Sequence, residues 1–279
     1  RCRRAAGGAG GGVVQVQAGG MHGTKPGRKR GRTDIREAYN LALEEWGALC
    51  RRLNQPIRYP DGMEILPGVI YWVREPHYTR LDAALEQFQA AGIERVQGVL
   101  DALRTPRRMQ EAAARTGADP EILRILKHDI AMWLPVPIPL TETELALQHP
   151  AQLAALERLG VDTQLAVLSR CQLPEERREL ASRANIHPAQ LMDICCWCDF
   201  YRTGTNLNHI RSRLYYAMGL NTWQKWAQAS SGEVIARFAA YIRQQGMSDE
   251  RLVPFPREVR NGIEWAKLHL SIFAVTWGE

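Results

Sequence analysis

Apolar positions along most of this chain recur every three or four residues, the spacing of a helix with one buried face. From Asp34 to Leu53 the residues Ile35, Tyr39, Leu41, Ala42, Trp46 and Leu49 keep that spacing, which predicts a single helix capped by Thr33 or Asp34. The following stretch, NQPIRYPDGMEILPGVIYWV, changes period. Pro60-Asp61-Gly62 stands between alternating IRY and MEI, and Pro presets φ while Gly accepts positive φ. A small β-hairpin is expected there, with a third strand at 69–73. Helical spacing resumes at Leu81 and runs to the C-terminal region, where Ile263, Ala266, Leu270 and Phe273 form an apolar stripe after the Pro-flanked VPFPR.

The helical pattern repeats. A shift of 68 residues without a gap places Ala83 on Ala151, Leu85 on Leu153, Gly92 on Gly160, Val99-Leu100 on Val167-Leu168, Pro106 on Pro174 and Glu111 on Glu179. It goes on to place Ala113 on Ala181, Arg115 on Arg183, Pro120 on Pro188 and Leu123 on Leu191. Matching punctuation as well as matching apolar sites marks a duplicated unit. The Pro-rich PVPIPL at 135–140 reads as the spacer between the copies, because it cannot continue a helix.

Within each copy, AGIERVQGVL and LGVDTQLAVL describe one sharp reversal between helices. Gly92 or Gly160 supplies the left-handed residue that ends the first helix, and the apolar residue after it packs back. Asp162 or Thr163 caps the next helix. Gly219-Leu220-Asn221-Thr222 repeats this turn a third time, with Thr222 in the capping place. Asp119-Pro120 and His187-Pro188 put Pro at the first helical position, where its missing N–H costs nothing.

These residues carry a family resemblance. ALERLGVDTQLAVLSRCQLPEERRELASRANIHPAQLMDICCWCDFYR, followed by TGTNLNHIRSRLYYAMGLNTWQKWAQ, resembles the bacterial domain of unknown function 4332, a helix-hairpin-helix-like module. Residues 153–230 follow the family's order closely and 85–133 follow its first half. The resemblance implies an all-helical fold related to nucleic-acid-binding hairpin modules, and the family lends no established activity. One departure matters. The family's second hairpin usually reads Gly-Ile-Gly-Pro, whereas Thr203-Gly204-Thr205-Asn206 has one glycine and no proline. A Gly-x-Gly loop is what lets backbone N–H groups approach a phosphate.

The expected architecture is therefore mainly α: tandem helix-hairpin-helix-like helical units at 81–134 and 141–245, behind a small N-terminal helix plus β-hairpin element at 34–80. A C-terminal helix occupies 254–279, and 1–33 form a disordered Gly-rich, basic tail. Within that tail the first twenty residues lack an apolar signal core and read as a leader ahead of Met21.

Charge sharpens this division. The chain of 279 residues carries 36 Lys and Arg against 30 Asp and Glu, a formal net charge of +6. Eight of the basic residues and no acid lie in 1–33, so the body holds 28 basic against 30 acidic residues, near −2. All of the excess positive charge sits in the tail. Lys25, Arg28, Lys29, Arg30 and Arg32 would neutralise phosphates of DNA or RNA without reading sequence. Arg202, Gly204, Thr205, Arg211 and Arg213 form a second phosphate candidate around the Gly204 loop, set against an ordinary polar helix face. A protein partner is the alternative ligand. No apolar run reaches the roughly 18 residues of a membrane span, and a cytoplasmic location is expected.

Catalytic signatures are absent from the sequence: it contains no P-loop, dinucleotide-binding glycine pattern, nucleophile elbow or paired-His metal motif. Cys195 and Cys198 lie one helical turn apart, a spacing compatible with thiol redox chemistry, but buried structural thiols are the plainer reading. No second Cys pair completes a zinc site, so neither metal nor cofactor is expected. The aromatics Trp197, Phe200, Tyr201, Tyr215, Tyr216, Trp223 and Trp226 recur at helical spacing, as core residues do. The reading is a non-enzymatic binding or adaptor protein; the alternatives are a protein–protein scaffold and a thiol redox protein.

Overall fold

The architecture follows from where glycine, proline and polar caps interrupt the helical pattern. The structure is a computed structural model that describes residues 33–53, 57–58, 64–65, 77–203, 210–247, 254, 256–275 and 277. It is mainly helical. Residues 32–279 form one compact unit. No helix among the described residues is long and apolar enough to cross a membrane.

The N-terminal helix is broken in two, α1 (Ile35–Tyr39) and α2 (Leu43–Leu53), where periodicity predicted one. Asp34 caps α1 by accepting from the Arg36 N–H at 2.9 Å. The break has a cause: Leu41-Ala42-Leu43 is drawn into an antiparallel bridge with Arg95, far along the chain. Two short strands, β1 (Ile57–Arg58) and β2 (Glu64–Ile65), pair antiparallel, with Ile57 opposite Ile65. The Pro60-Asp61-Gly62 turn and the expected third strand at 69–73 lie outside the described residues.

Helices α3 (His77–Ala90), α4 (Val96–Ala102), α5 (Pro106–Thr116) and α6 (Pro120–Trp133) come next. A 3-10 turn at Leu140–Glu142 leads to α7 (Leu145–Gln148) and α8 (Pro150–Glu157). Then follow α9 (Gln164–Arg170), α10 (Pro174–Ala184) and α11 (Pro188–Phe200). The bounds of α9 and α10 are those of α4 and α5 displaced by 68 residues, and α11 starts at the same displacement from α6. Buried positions coincide too: Leu85 and Leu153, Phe88 and Leu156, Val99 and Val167, Leu123 and Leu191, Leu126 and Ile194.

PVPIPL is more than the expected spacer. Pro139 bridges Thr163 antiparallel, as Ala42 bridges Arg95. The fully buried Gln164 clasps this segment with its side-chain amide, accepting from the Ile138 N–H and donating to the Val136 carbonyl.

The turns form as the glycines predict. Gly92, Gly160 and Gly219 have φ of 79°, 69° and 80°. After each, the apolar residue donates back into the preceding helix: Ile93 N–H to the Phe88 carbonyl at 2.9 Å, Val161 to Leu156 at 3.0 Å, Leu220 to Tyr215 at 2.9 Å. Thr163 is the cap in the second turn, accepting from the Ala166 N–H at 3.2 Å, while the Asp162 carbonyl accepts from Leu140. Thr222 caps the third in the same way, from Lys225 at 3.2 Å. A Cβ on Gly160 would meet nothing within 4 Å, so any penalty for one is purely conformational. Gly160→Ala is expected to destabilise the fold by about 1–2 kcal/mol, read from urea or thermal unfolding.

The chain closes with α12 (Ile210–Ala217), α13 (Trp223–Gln228), α14 (Ser231–Gln244) and α15 (Pro256–Ile272). Helix α15 lies tightly against α13. A Cβ added at Gly262 would stand 2.9 Å from the Trp226 ring, so only glycine permits that approach. The N-terminal helices share the same core: Trp133 packs against Tyr39 and Trp46 at centroid distances of 5.2 and 5.1 Å.

Candidate functional site

Two arrangements bring polar side chains together, one sealed and one open. The sealed one joins three distant parts of the chain. Arg202, just past α11, is 1% exposed, although it was expected near a phosphate-facing loop. Its guanidinium donates to Asp199 Oδ1 at 2.6 Å, to Tyr39 Oη at 3.0 Å and to the His269 carbonyl at 3.1 Å. The Tyr39 hydroxyl, already accepting from Arg202, donates to His269 Nδ1 at 2.8 Å. That network assigns the imidazole proton to Nε2, which has no partner among the described residues. Trp277 Nε1 donates to Asp199 Oδ2 at 2.7 Å, and Trp223 Nε1 to the Asp199 carbonyl at 2.9 Å.

Aromatic rings enclose this centre. The His269 ring lies 4.5 Å from that of Trp223, 5.3 Å from Trp265 and 5.7 Å from Trp133. Burial and the nearby Arg202 charge hold the imidazole well below its ordinary range, so it is neutral. Burial pushes the Tyr39 phenol up to about 12, against the pull of Arg202. Burial also raises Asp199, opposed by Arg202 and by the Trp277 hydrogen bond. These residue types resemble a proton relay, but substrate has no path to them: Tyr39, Arg202 and His269 line neither surface groove. The arrangement locks the N-terminal helix, α11 and α15 together.

The open arrangement surrounds the third turn. A groove of about 330 Å³ is bordered by Glu144, Asp193, Arg213 and Tyr216, and one of about 620 Å³ by Met192, Cys196, Thr222 and Trp277. Asp193 and Asn221 border both. Asp193 is fixed on two sides: His149 Nε2 lies 3.0 Å from its Oδ2, and the Tyr216 hydroxyl donates to its Oδ1 at 2.8 Å. Burial and the Asp193 charge raise the Tyr216 phenol, which stays protonated and donating. Arg213 is ion-paired with Glu144.

Cys196 has a thiol pushed up to about 12 by burial, so at neutral pH it is no thiolate. Cys195 and Cys198 are buried further, and burial raises both thiols strongly. Their positions explain them. Cys171 and Cys198 stand where the preceding copy has the buried Leu103 and Ile130, so they fill core sites. Among the described residues no cluster of His, Cys, Asp and Glu could hold a metal ion.

Of the residues singled out from sequence, the structure brings Arg213, Gly219 and Asn221 to one groove and removes Arg202 into the core. Lys25, Arg28, Lys29, Arg30, Arg32, Gly204, Thr205 and the Arg211 side chain lie outside the described residues. Periodicity missed Tyr39 and His269 as polar anchors, because each occupies a position indistinguishable from its apolar neighbours. Asp193 and His149 belong to no motif and carry no local signal.

Residues 147–269, which hold the second and third turns and most of α15, match the family model for the domain of unknown function DUF4332. No curated protein and no solved structure matches the chain.

Proposed function

We propose that this chain, which carries a DUF4332 domain over residues 147–269, is a non-enzymatic binding or adaptor protein. Its helix-hairpin-helix-like turns are architectural, and its basic N-terminal segment contacts nucleic acid without sequence preference. One observation carries the reading. In the first two turns, the backbone groups that a phosphate would need are already engaged within the chain: Val96 N–H donates to Leu41 at 3.1 Å and Gln164 N–H to Ile138 at 3.1 Å. With those turns closed and the body near −2, the cationic residues Lys25, Arg28, Lys29, Arg30 and Arg32 are the remaining phosphate-binding group of the sequence. The protonated thiols and the sealed His269 favour binding over catalysis.

The test is a salt titration of DNA and RNA binding by the full chain and by a variant with those five residues changed to Gln. Each neutralised phosphate adds about 0.9 to the slope of log affinity against log salt on duplex DNA. The variant is expected to lose up to about four units of slope, on all sequences alike. Equal slopes would sink the nucleic-acid part of the proposal. A second reading, a protein–protein scaffold, draws on the same closed turns and predicts flat titrations for both proteins.

A further inference from the structure

The fold shows twice what the backbone of its turns takes up. At the first turn Ala42 lies antiparallel to Arg95; Leu43 N–H donates to the Glu94 carbonyl at 2.8 Å, and Val96 N–H to the Leu41 carbonyl at 3.1 Å. At the second, Pro139 lies antiparallel to Thr163; Leu140 N–H donates to Asp162 at 2.8 Å, and Gln164 N–H to Ile138 at 3.1 Å. The two bridges match bond for bond. Neither uses the N–H of the central residue, which is why Pro139 serves as well as Ala42. The residue after it is leucine both times, and both leucines are buried, 1% and 2% exposed.

The third turn has the same backbone. Thr222 has φ −139° and ψ 151°, beside −130° and 152° at Arg95 and −123° and 157° at Thr163. Among the described residues, no segment bridges the Asn221 carbonyl and the Trp223 N–H. The 620 Å³ groove opens at this point, with Met192 and Cys196 of α11 on one side and Trp277 on the other. Gln224 donates to the Val275 carbonyl and so ties down the segment that presents Trp277.

We infer that the third turn is a docking site for an extended peptide segment of another protein. The segment has the pattern Leu or Ile, then Ala or Pro, then Leu. Its central residue lies against Thr222, its backbone pairs with the Asn221 carbonyl and the Trp223 N–H, and its second apolar residue enters the groove between Met192 and Trp277. Backbone pairing supplies orientation and the leucine supplies affinity, as in other strand-addition interfaces. The two internal segments identify the occupant, because they show which side chains these turns accept.

The test uses the ¹⁵N-labelled full chain and the capped peptide VPIPLTE, the protein's own residues 136–142. Titration is expected to move the amide signals of Asn221, Thr222 and Trp223 and the indole N–H of Trp277. Replacing the peptide's leucine by serine should weaken binding about tenfold or more. Ala189→Trp, at an exposed position on the groove rim, should do the same while leaving the rest of the spectrum in place. The inference fails if nothing moves up to about 2 mM peptide. It fails equally if the shifts fall on the first two turns, or if Ala189→Trp binds as well as the parent.

Discussion

Arg202→Met is expected to destabilise the protein by about 3–5 kcal/mol, the cost of leaving one half of a buried ion pair behind. Asp199, 1% exposed, would keep its indole donors and lose its cation, while the Tyr39 hydroxyl and the His269 carbonyl would each lose a donor. The earlier copy shows how to relieve this. At the equivalent positions, 68 residues before, Ala131 and Leu134 stand where the later copy has Asp199 and Arg202. The double variant Asp199→Ala, Arg202→Leu is therefore expected to recover most of the loss, because it removes both charges together. Urea unfolding of parent, single and double variants measures this directly. If single and double variants lose the same amount, the ion pair is not what makes Arg202 costly to replace.

Asp129 should make stability fall as pH rises. This α6 carboxyl is 6% exposed, its Oδ2 has no partner among the described residues, and burial pushes it up to about 7 from 3.8. Between those values the folded protein keeps a proton that the unfolded chain releases. The contribution is complete below pH 3.8 and is lost as pH climbs through 7. At about 1.4 kcal/mol per unit, the whole effect is at most about 4 kcal/mol. Asp199 acts in the same sense. His269 acts in the opposite one: below its ordinary 6.5 the unfolded chain takes up a proton that the buried ring refuses, so stability falls as pH falls. Asp129→Asn isolates one group from the others. The parent's stability relative to this variant is expected to drop by about 2–4 kcal/mol between pH 4 and pH 7.5, followed by urea unfolding at fixed ionic strength. Parallel curves would refute it.

Local chemistry was legible in the sequence. Gly92, Gly160 and Gly219 end their helices in the left-handed conformation, and Pro106, Pro120, Pro174 and Pro188 open theirs, because both effects act within a few residues. What depends on distant partners was not legible. The split between α1 and α2 arises from a bridge to Arg95, and no feature of the period around Leu41 encodes that partner. Arg202 looks like a surface cation until Tyr39 and His269, 163 and 67 residues away, are brought to it. The grooves around Asp193 were hidden for the same reason: α7, α11 and α12 contribute single side chains that share no spacing. The turn at Gly160 announced itself, but not the segment that would lie across it.

That crossing segment decides what can be cut out of the molecule. Ile138-Pro139-Leu140 precedes the family match, which begins at residue 147, and Tyr39 precedes it by far more. A gene fragment trimmed to 147–269 would leave a seam at Asp162 and Gln164, an empty socket where Leu140 sits and an arginine stranded without its phenol. The smallest autonomous piece begins upstream of the recognisable domain, so a boundary drawn from family likeness alone would yield an insoluble or molten product.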